Sequence, residues 1–195
     1  MTFLNEPASS EGQQRMYDAD LAQDGYVWDN TKLWAHQPGL DEAITALIVS
    51  AADAAGLSIR EKGLLVIGQS STIGDSYCSV AWGRWLTESE DAQTAAAALR
   101  ADEAPFSQRE RALATWARAV ADHPNDTTPE DVERLRDVGF DDPQILALTV
   151  YAAARMALSV TNDALGARPD QALIDMLHPA VRAAITWGRW PAEVG

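Results

Sequence analysis

Ser58-Ile59-Arg60-Glu61-Lys62-Gly63-Leu64-Leu65-Val66-Ile67-Gly68-Gln69-Ser70-Ser71-Thr72-Ile73-Gly74-Asp75-Ser76-Tyr77-Cys78-Ser79-Val80-Ala81-Trp82-Gly83-Arg84-Trp85 holds two helix starts and one break. Ser58 and Glu61 stand in capping-box spacing, so a helix opens there, and the apolar pattern carries it to about Thr72. Gly74 breaks it, Asp75 is placed to cap the next helix, and this second helix runs over roughly 76–87. The pair predicts a tight helical hairpin whose second arm carries Cys78 in its first turn.

The same grammar continues on both sides. Gly39 and Asp41 introduce a helix over about 41–55 that stops at Gly56. Ser107 and Glu110 repeat the capping-box spacing for a helix over about 108–122 before Pro124, and Thr128-Pro129 opens another that ends at Gly139. Asp141 with Gln144 starts the longest, about 143–164, closed by Gly166. Shorter helices are expected near 170–177 and 179–187. No stretch alternates with period two, so the fold class is all-α. Residues 1–12 are polar and read as frayed, and Gly25 to His36 reads as a short aromatic-rich stretch. This gives an N-terminal arm over 1–40 and a helical domain over 41–195.

A length of 195 residues, 47% of them hydrophobic and 23% charged, fits one soluble globular core better than two. The 15 Lys and Arg against 29 Asp and Glu give a net charge of −14, which repels nucleic-acid backbones and anionic membrane surfaces. Neither nucleic acid nor membrane is an expected partner. A single cysteine excludes an internal disulfide and Cys-rich metal sites, and with three histidines no metal and no cofactor are expected. The first residues lack the basic flank and apolar stretch of a signal peptide, and Arg155 interrupts the most apolar run, so a cytoplasmic location is expected.

Chemistry concentrates at Gly74 to Gly83. Positions 75, 78, 82 and 85 recur at three and four residues, so Asp75, Cys78, Trp82 and Trp85 share one helix face. The unpaired N–H groups at a helix start favour a thiolate, whereas an ionised Asp75 disfavours it and can instead accept its proton. The plain alternative is that Cys78 is an inert small hydrophobe and the Trp stripe is core. Ser70 and Ser71 lie one turn before the bend, where a hydroxyl can line a pocket or satisfy a backbone carbonyl. His36 can supply an imidazole if the arm folds over the hairpin, or be an ordinary loop histidine. Asn162-Asp163, near the end of the longest helix, reads first as a helix-terminal hydrogen-bonding pair.

The run Arg60 to Ile67 leading into Gly74-Asp75-Ser76-Tyr77-Cys78 resembles the alkylhydroperoxidase D-like and carboxymuconolactone decarboxylase superfamily. The downstream runs Ser107–Leu113, Asp131–Phe140, Ile145-Leu146 and Asn162–Gly166 are similar to the later helices of that superfamily. The likeness spans roughly 40–170. It implies an alkylhydroperoxidase D-like bundle, a homo-oligomer and a small-molecule substrate. The redox members carry E-x11-C-x2-C-x3-H, and aligned on that motif this chain has Gly63 for the Glu, Asp75 for the first Cys, Cys78 for the second and Trp82 for the His. Glu61 lies two residues before the aligned position, about 200° around the helix.

One sulfur cannot close an internal disulfide, so two-cysteine peroxidase chemistry does not apply. The resemblance implies two enzymatic expectations. In one, Cys78 alone reduces a hydroperoxide and an external thiol reductant recycles the sulfenic acid. In the other, Asp75 is the general acid–base of a decarboxylase, lyase or isomerase, with Tyr77 or Cys78 donating a hydrogen bond. A third expectation is an inactive ligand-binding paralogue. The expected pocket is lined by Asp75, Tyr77, Cys78 and Trp82, with Ser70, Ser71 and His36 as further candidates.

Overall fold

The computed structural model describes residues 2–191, and every regular element among them is helical. The hairpin is present as α4 (Ile59–Ile73) and α5 (Ser76–Ser89), preceded by α1 (Glu11–Asp24), α2 (Asp29–Trp34) and α3 (Pro38–Ala54). Then come α6 (Ala92–Leu99), α7 (Gln108–Asp122), α8 (Pro129–Asp137), α9 (Asp142–Ala164), α10 (Gln171–Asp175) and α11 (Pro179–Ala184). Reciprocal capping boxes at Ser58/Glu61, Ser107/Glu110 and Asp141/Gln144 are all formed, each satisfying two otherwise orphaned N–H groups. Gly74, at φ 78°, turns the chain from α4 into α5 with no Cβ to resist the left-handed conformation.

Helix α4 is the hub, packed against α7, α5, α9 and α6. One side carries Leu65 and Val66 into a core shared with Ala51, Ala52, Leu113, Leu148 and Tyr151. The other carries Leu64 and Ile67 into a second core with Val80, Leu86, Leu99, Leu173 and Val181. Gly68 lets α7 come close, since a Cβ there would lie 3.2 Å from the Ala114 carbonyl oxygen. Trp82 packs against both cores.

Several sequence expectations change. The segment read as frayed end and arm contains α1, capped by Ser10 and without a buried residue, and α2. The last two helices are shorter than expected. His178 accepts the Ala180 N–H to start α11, and Ile185 leaves it in an extended conformation at ψ 102°. The Ala95–Ala98 run forms α6, its N-cap Asp91 accepting from Gln93 and Thr94, and all four alanines are buried in core.

Two helices keep apolar faces in solvent. On α3, Leu40, Ala43, Leu47 and Ala54 are exposed at three-, four- and seven-residue steps. On α9, Leu146, Ala153, Ala157, Val160 and Ala164 are exposed and Val150 half-buried on one stripe. By length and composition α9 is also the one described helix apolar enough to cross a membrane, yet it packs against α3, α4, α5 and α7.

Candidate functional site

The site is built where α5 crosses α9. Asp75 caps α5, its Oδ1 accepting the Cys78 N–H at 3.0 Å, as its position at the helix start leads one to expect. From there three pairs run down the crossing: Asp75 with Asp163, Cys78 with Ser159 and Trp82 with Arg155. Numbers rise on α5 as they fall on α9, so the two helices run antiparallel, and steps of three or four residues keep each pair on the facing sides. The Ser159 hydroxyl lies 3.3 Å from the Cys78 sulfur. The Arg155 guanidinium sits 5.3 Å from the centre of the Trp82 ring, which itself meets Trp85 edge-on.

Burial is severe. Asp75 is fully buried and Cys78 is 6% exposed. The second Asp75 oxygen, Oδ2, makes no hydrogen bond of ordinary geometry. An unpaired buried carboxylate oxygen is costly and is the kind of orphan that marks a working site. Burial pushes the Cys78 thiol well above its usual range, and the neighbouring Asp75 carboxylate raises it further; Arg155 and the Ser159 hydroxyl pull in the other direction. The thiolate favoured by the helix start is thus outweighed by desolvation, and the resting group is a thiol. Burial and the Asp75 charge together raise Asp163 to about 6, with Arg189 opposing. Tyr151, one turn before Arg155, is pushed up to about 12 by burial, again with Arg155 opposing.

The structure brings Asp75, Cys78 and Trp82 onto one face and separates the other candidates from it. Tyr77 points elsewhere, its hydroxyl donating to Asp170 at 2.7 Å, because one residue along a helix is a 100° rotation. Ser71 bonds the Ile67 carbonyl at 2.7 Å, the backbone role open to a serine near a helix end. Ser70 is buried and receives the Ser79 hydroxyl at 3.0 Å. His36 lies 3.0 Å from the Asn5 carbonyl oxygen, held within the N-terminal segment. Sequence reading passed over Ser159 and Arg155. Their signal was a polar residue every four positions, Tyr151, Arg155, Ser159 and Asp163, along one side of an otherwise apolar helix.

A strap from the carboxyl end crosses the start of α5. Trp187 Nε1 donates to Ser79 at 3.3 Å, and Ser76 donates to the Arg189 carbonyl at 2.6 Å. Arg189 in turn bonds the Asp163 carbonyl and lies over Phe3. A surface groove of about 210 Å³ lies elsewhere, between α7 and α8, lined by Arg111, Thr115, Trp116 and Arg134. Cys78 therefore sits in packed surroundings, not on the open pocket wall expected from the sequence. Beside it, a Cβ added to Gly63 would lie 3.4 Å from Trp82 Cε3.

This helical bundle, with a thiol and a carboxylate at the start of the second hairpin helix, has the alkylhydroperoxidase D-like fold. No family model matches the sequence, and no curated protein matches it. Among solved structures it is similar to the alkylhydroperoxidase AhpD core of an uncharacterized peroxidase-related protein from Ralstonia eutropha JMP134. That match has a TM-score of 0.74 at 21% identity, over 88% of this chain and 94% of the other. A peroxidase-related protein from Silicibacter sp. TM1040 matches with a TM-score of 0.73 at 23% identity, over 88% and 93% of the two chains. The debrominase Bmp8, solved as a variant with 2,3,4-tribromopyrrole, matches with a TM-score of 0.65 at 17% identity, over 93% and 95%.

Proposed function

We propose that the chain is a small-molecule enzyme in which Cys78 reduces a hydroperoxide with Asp75 as its proton acceptor. The observation that carries this reading is the fully buried Asp75 carboxylate, one oxygen unpaired, beside the only thiol of the chain. The kinship with peroxidase-related proteins in fold supports it. As the sulfur attacks the peroxide oxygen, an S–O bond forms and the O–O bond breaks. The thiol proton passes to Asp75 and then to the departing alkoxide, leaving an alcohol and the Cys78 sulfenic acid. An external thiol condenses with that sulfenic acid, releasing water, and a second thiol frees Cys78 from the mixed disulfide. Because Asp75 and Cys78 are buried, substrate entry requires the packing around the crossing to open.

The test is trapping of the sulfenic acid with dimedone after exposure to cumene hydroperoxide, alongside peroxide consumption with dithiothreitol as reductant. Cys78→Ser abolishing both, and Asp75→Asn slowing both, is the expected result. A folded protein whose Cys78 stays unmodified refutes it. The raised thiol and the raised Asp163 favour a second reading, in which the paired carboxylates move a proton on a metabolite; there Cys78→Ala would be tolerated and Asp75→Asn would not.

The proposal extends to assembly: a second copy covers the α3 and α9 stripes. In a chain of charge −14 those stripes carry no charged side chain, and the four- and three-residue steps of α9 suit packing against the same helix of another copy. A soluble, cytoplasmic protein belongs to the same reading, with α9 a core and interface helix.

A further inference from the structure

We propose that Arg155 is the counter-charge for the Cys78 thiolate, held in place on the Trp82 ring; this rests on the reading of Cys78 as the reacting group. Three observations support it. First, Arg155 forms no ion pair and no hydrogen bond among the described residues, although acidic residues outnumber basic ones by 29 to 15. Its half-buried guanidinium has a fully buried Nε without an acceptor. A cation held partly out of water without a carboxylate is costly unless an anion forms beside it during function. Second, its place is fixed by the crossing geometry. Arg155 is one turn from Ser159, whose hydroxyl touches the sulfur at 3.3 Å, and Trp82, on which Arg155 rests, is one turn from Cys78. Third, Arg155 favours the charged form of both Cys78 and Tyr151.

Among the described residues, the charges facing the sulfur are few. Asp75 on α5 opposes ionisation and Arg155 on α9 favours it, while Tyr151 flanks Arg155. Asp163 and Arg189 lie at the outer end of the crossing, around Asp75. Helix α4 meets the region with uncharged Leu65, Val66, Gln69 and Ser70, Gln69 bonding the Ala152 carbonyl at 2.6 Å. When the thiol proton passes to Asp75, the carboxylate becomes neutral and the new negative charge on sulfur faces Arg155, so no net charge is created in the buried site. Arg155 is accordingly a positioning residue acting through Cys78.

The experiment measures modification of Cys78 by methyl methanethiosulfonate from pH 6 to 9, read by intact mass, in the full chain and in Arg155→Met, Arg155→Gln and Arg155→Lys. Circular dichroism and thermal melts select the variants that keep the fold. The neutral variants are expected to react at least about tenfold more slowly at each pH, which corresponds to about one pH unit of thiol ionisation. Arg155→Lys, which keeps the charge, is expected within about threefold of the parent. Equal rates in neutral and charged variants overturn the proposal, as does faster reaction in Arg155→Met, which would make Arg155 a plug. A parent protein unreactive up to pH 9 overturns it as well, because a counter-charge that yields no thiolate has no effect. The probe needs no hydroperoxide, so loss of sulfenic-acid formation alone would remove the peroxidase reading and leave the rates as evidence on Arg155.

Discussion

Replacing Asp163 with Asn tests whether its carboxyl is raised at the outer end of the crossing. Asp163 rises from 3.8 to about 6 because it is partly buried and faces Asp75. A carboxyl raised on folding adds stability while it is protonated, fully so below 3.8, and that stability is lost as pH rises through about 6. Two pH units at about 1.4 kcal/mol each give about 3 kcal/mol, and partial exposure reduces this to about 1.5 kcal/mol. Asp163→Asn is neutral at every pH, so above pH 7 it should be more stable by that amount. In a chain of this size that corresponds to roughly 3–6 °C in Tm. At pH 4 the advantage should shrink to about a fifth. Thermal melts of both proteins at pH 4 and 7.5 measure the difference of differences, in which the other carboxylates cancel. An advantage equal at the two pH values, or larger at pH 4, would refute a carboxyl raised by burial and by the Asp75 charge.

The raised thiol predicts that Cys78 oxidation by hydroperoxide accelerates with pH through the neutral range without reaching a plateau, as stopped-flow rates would show; a plateau near pH 7 contradicts the burial argument. Gly188→Ala should loosen the strap, since φ there is +73° and a Cβ would lie 2.6 Å from Ser76 Oγ. A red-shifted tryptophan fluorescence and a loss of about 1–3 kcal/mol are expected, and unchanged melting would contradict the close approach. Gly83→Ala should cost a similar amount, about 1–3 kcal/mol by denaturant titration, because its Cβ would meet Val181 at 2.8 Å. Leu47→Glu with Val160→Glu should lower the mass measured by light scattering if copies pair through α3 and α9, and leave it unchanged if they do not.

Much of the fold was legible because its boundaries are written in side chains that bond their own backbone. Ser58, Ser107, Thr128 and Asp141 each announce a helix start, and Gly56, Gly74, Gly139 and Gly166 mark ends. Helix α1 was not legible, since it is polar all round and buries nothing, so it lacks the periodicity on which reading depends. The alanines of α6 carried no period either, being small on every side. At the site, Asp75, Cys78 and Trp82 followed from spacing along one helix. Their partners Ser159 and Arg155 come from a helix about eighty residues away, and no local rule says which face of α9 meets α5. Adjacency in sequence places Tyr77 at the pocket, whereas adjacent helical residues diverge.

Gly63 sits beneath the two indoles of α5. A Cβ there would lie 3.4 Å from Trp82 Cε3 and 3.8 Å from Trp85 Cζ3, in ordinary contact with both rings. A bare methyl therefore fits at 63 against the two rings, and a longer side chain there has to pass between or around them. Positions 63, 82 and 85 are thus joined by contact, so a change of bulk at one is felt at the other two.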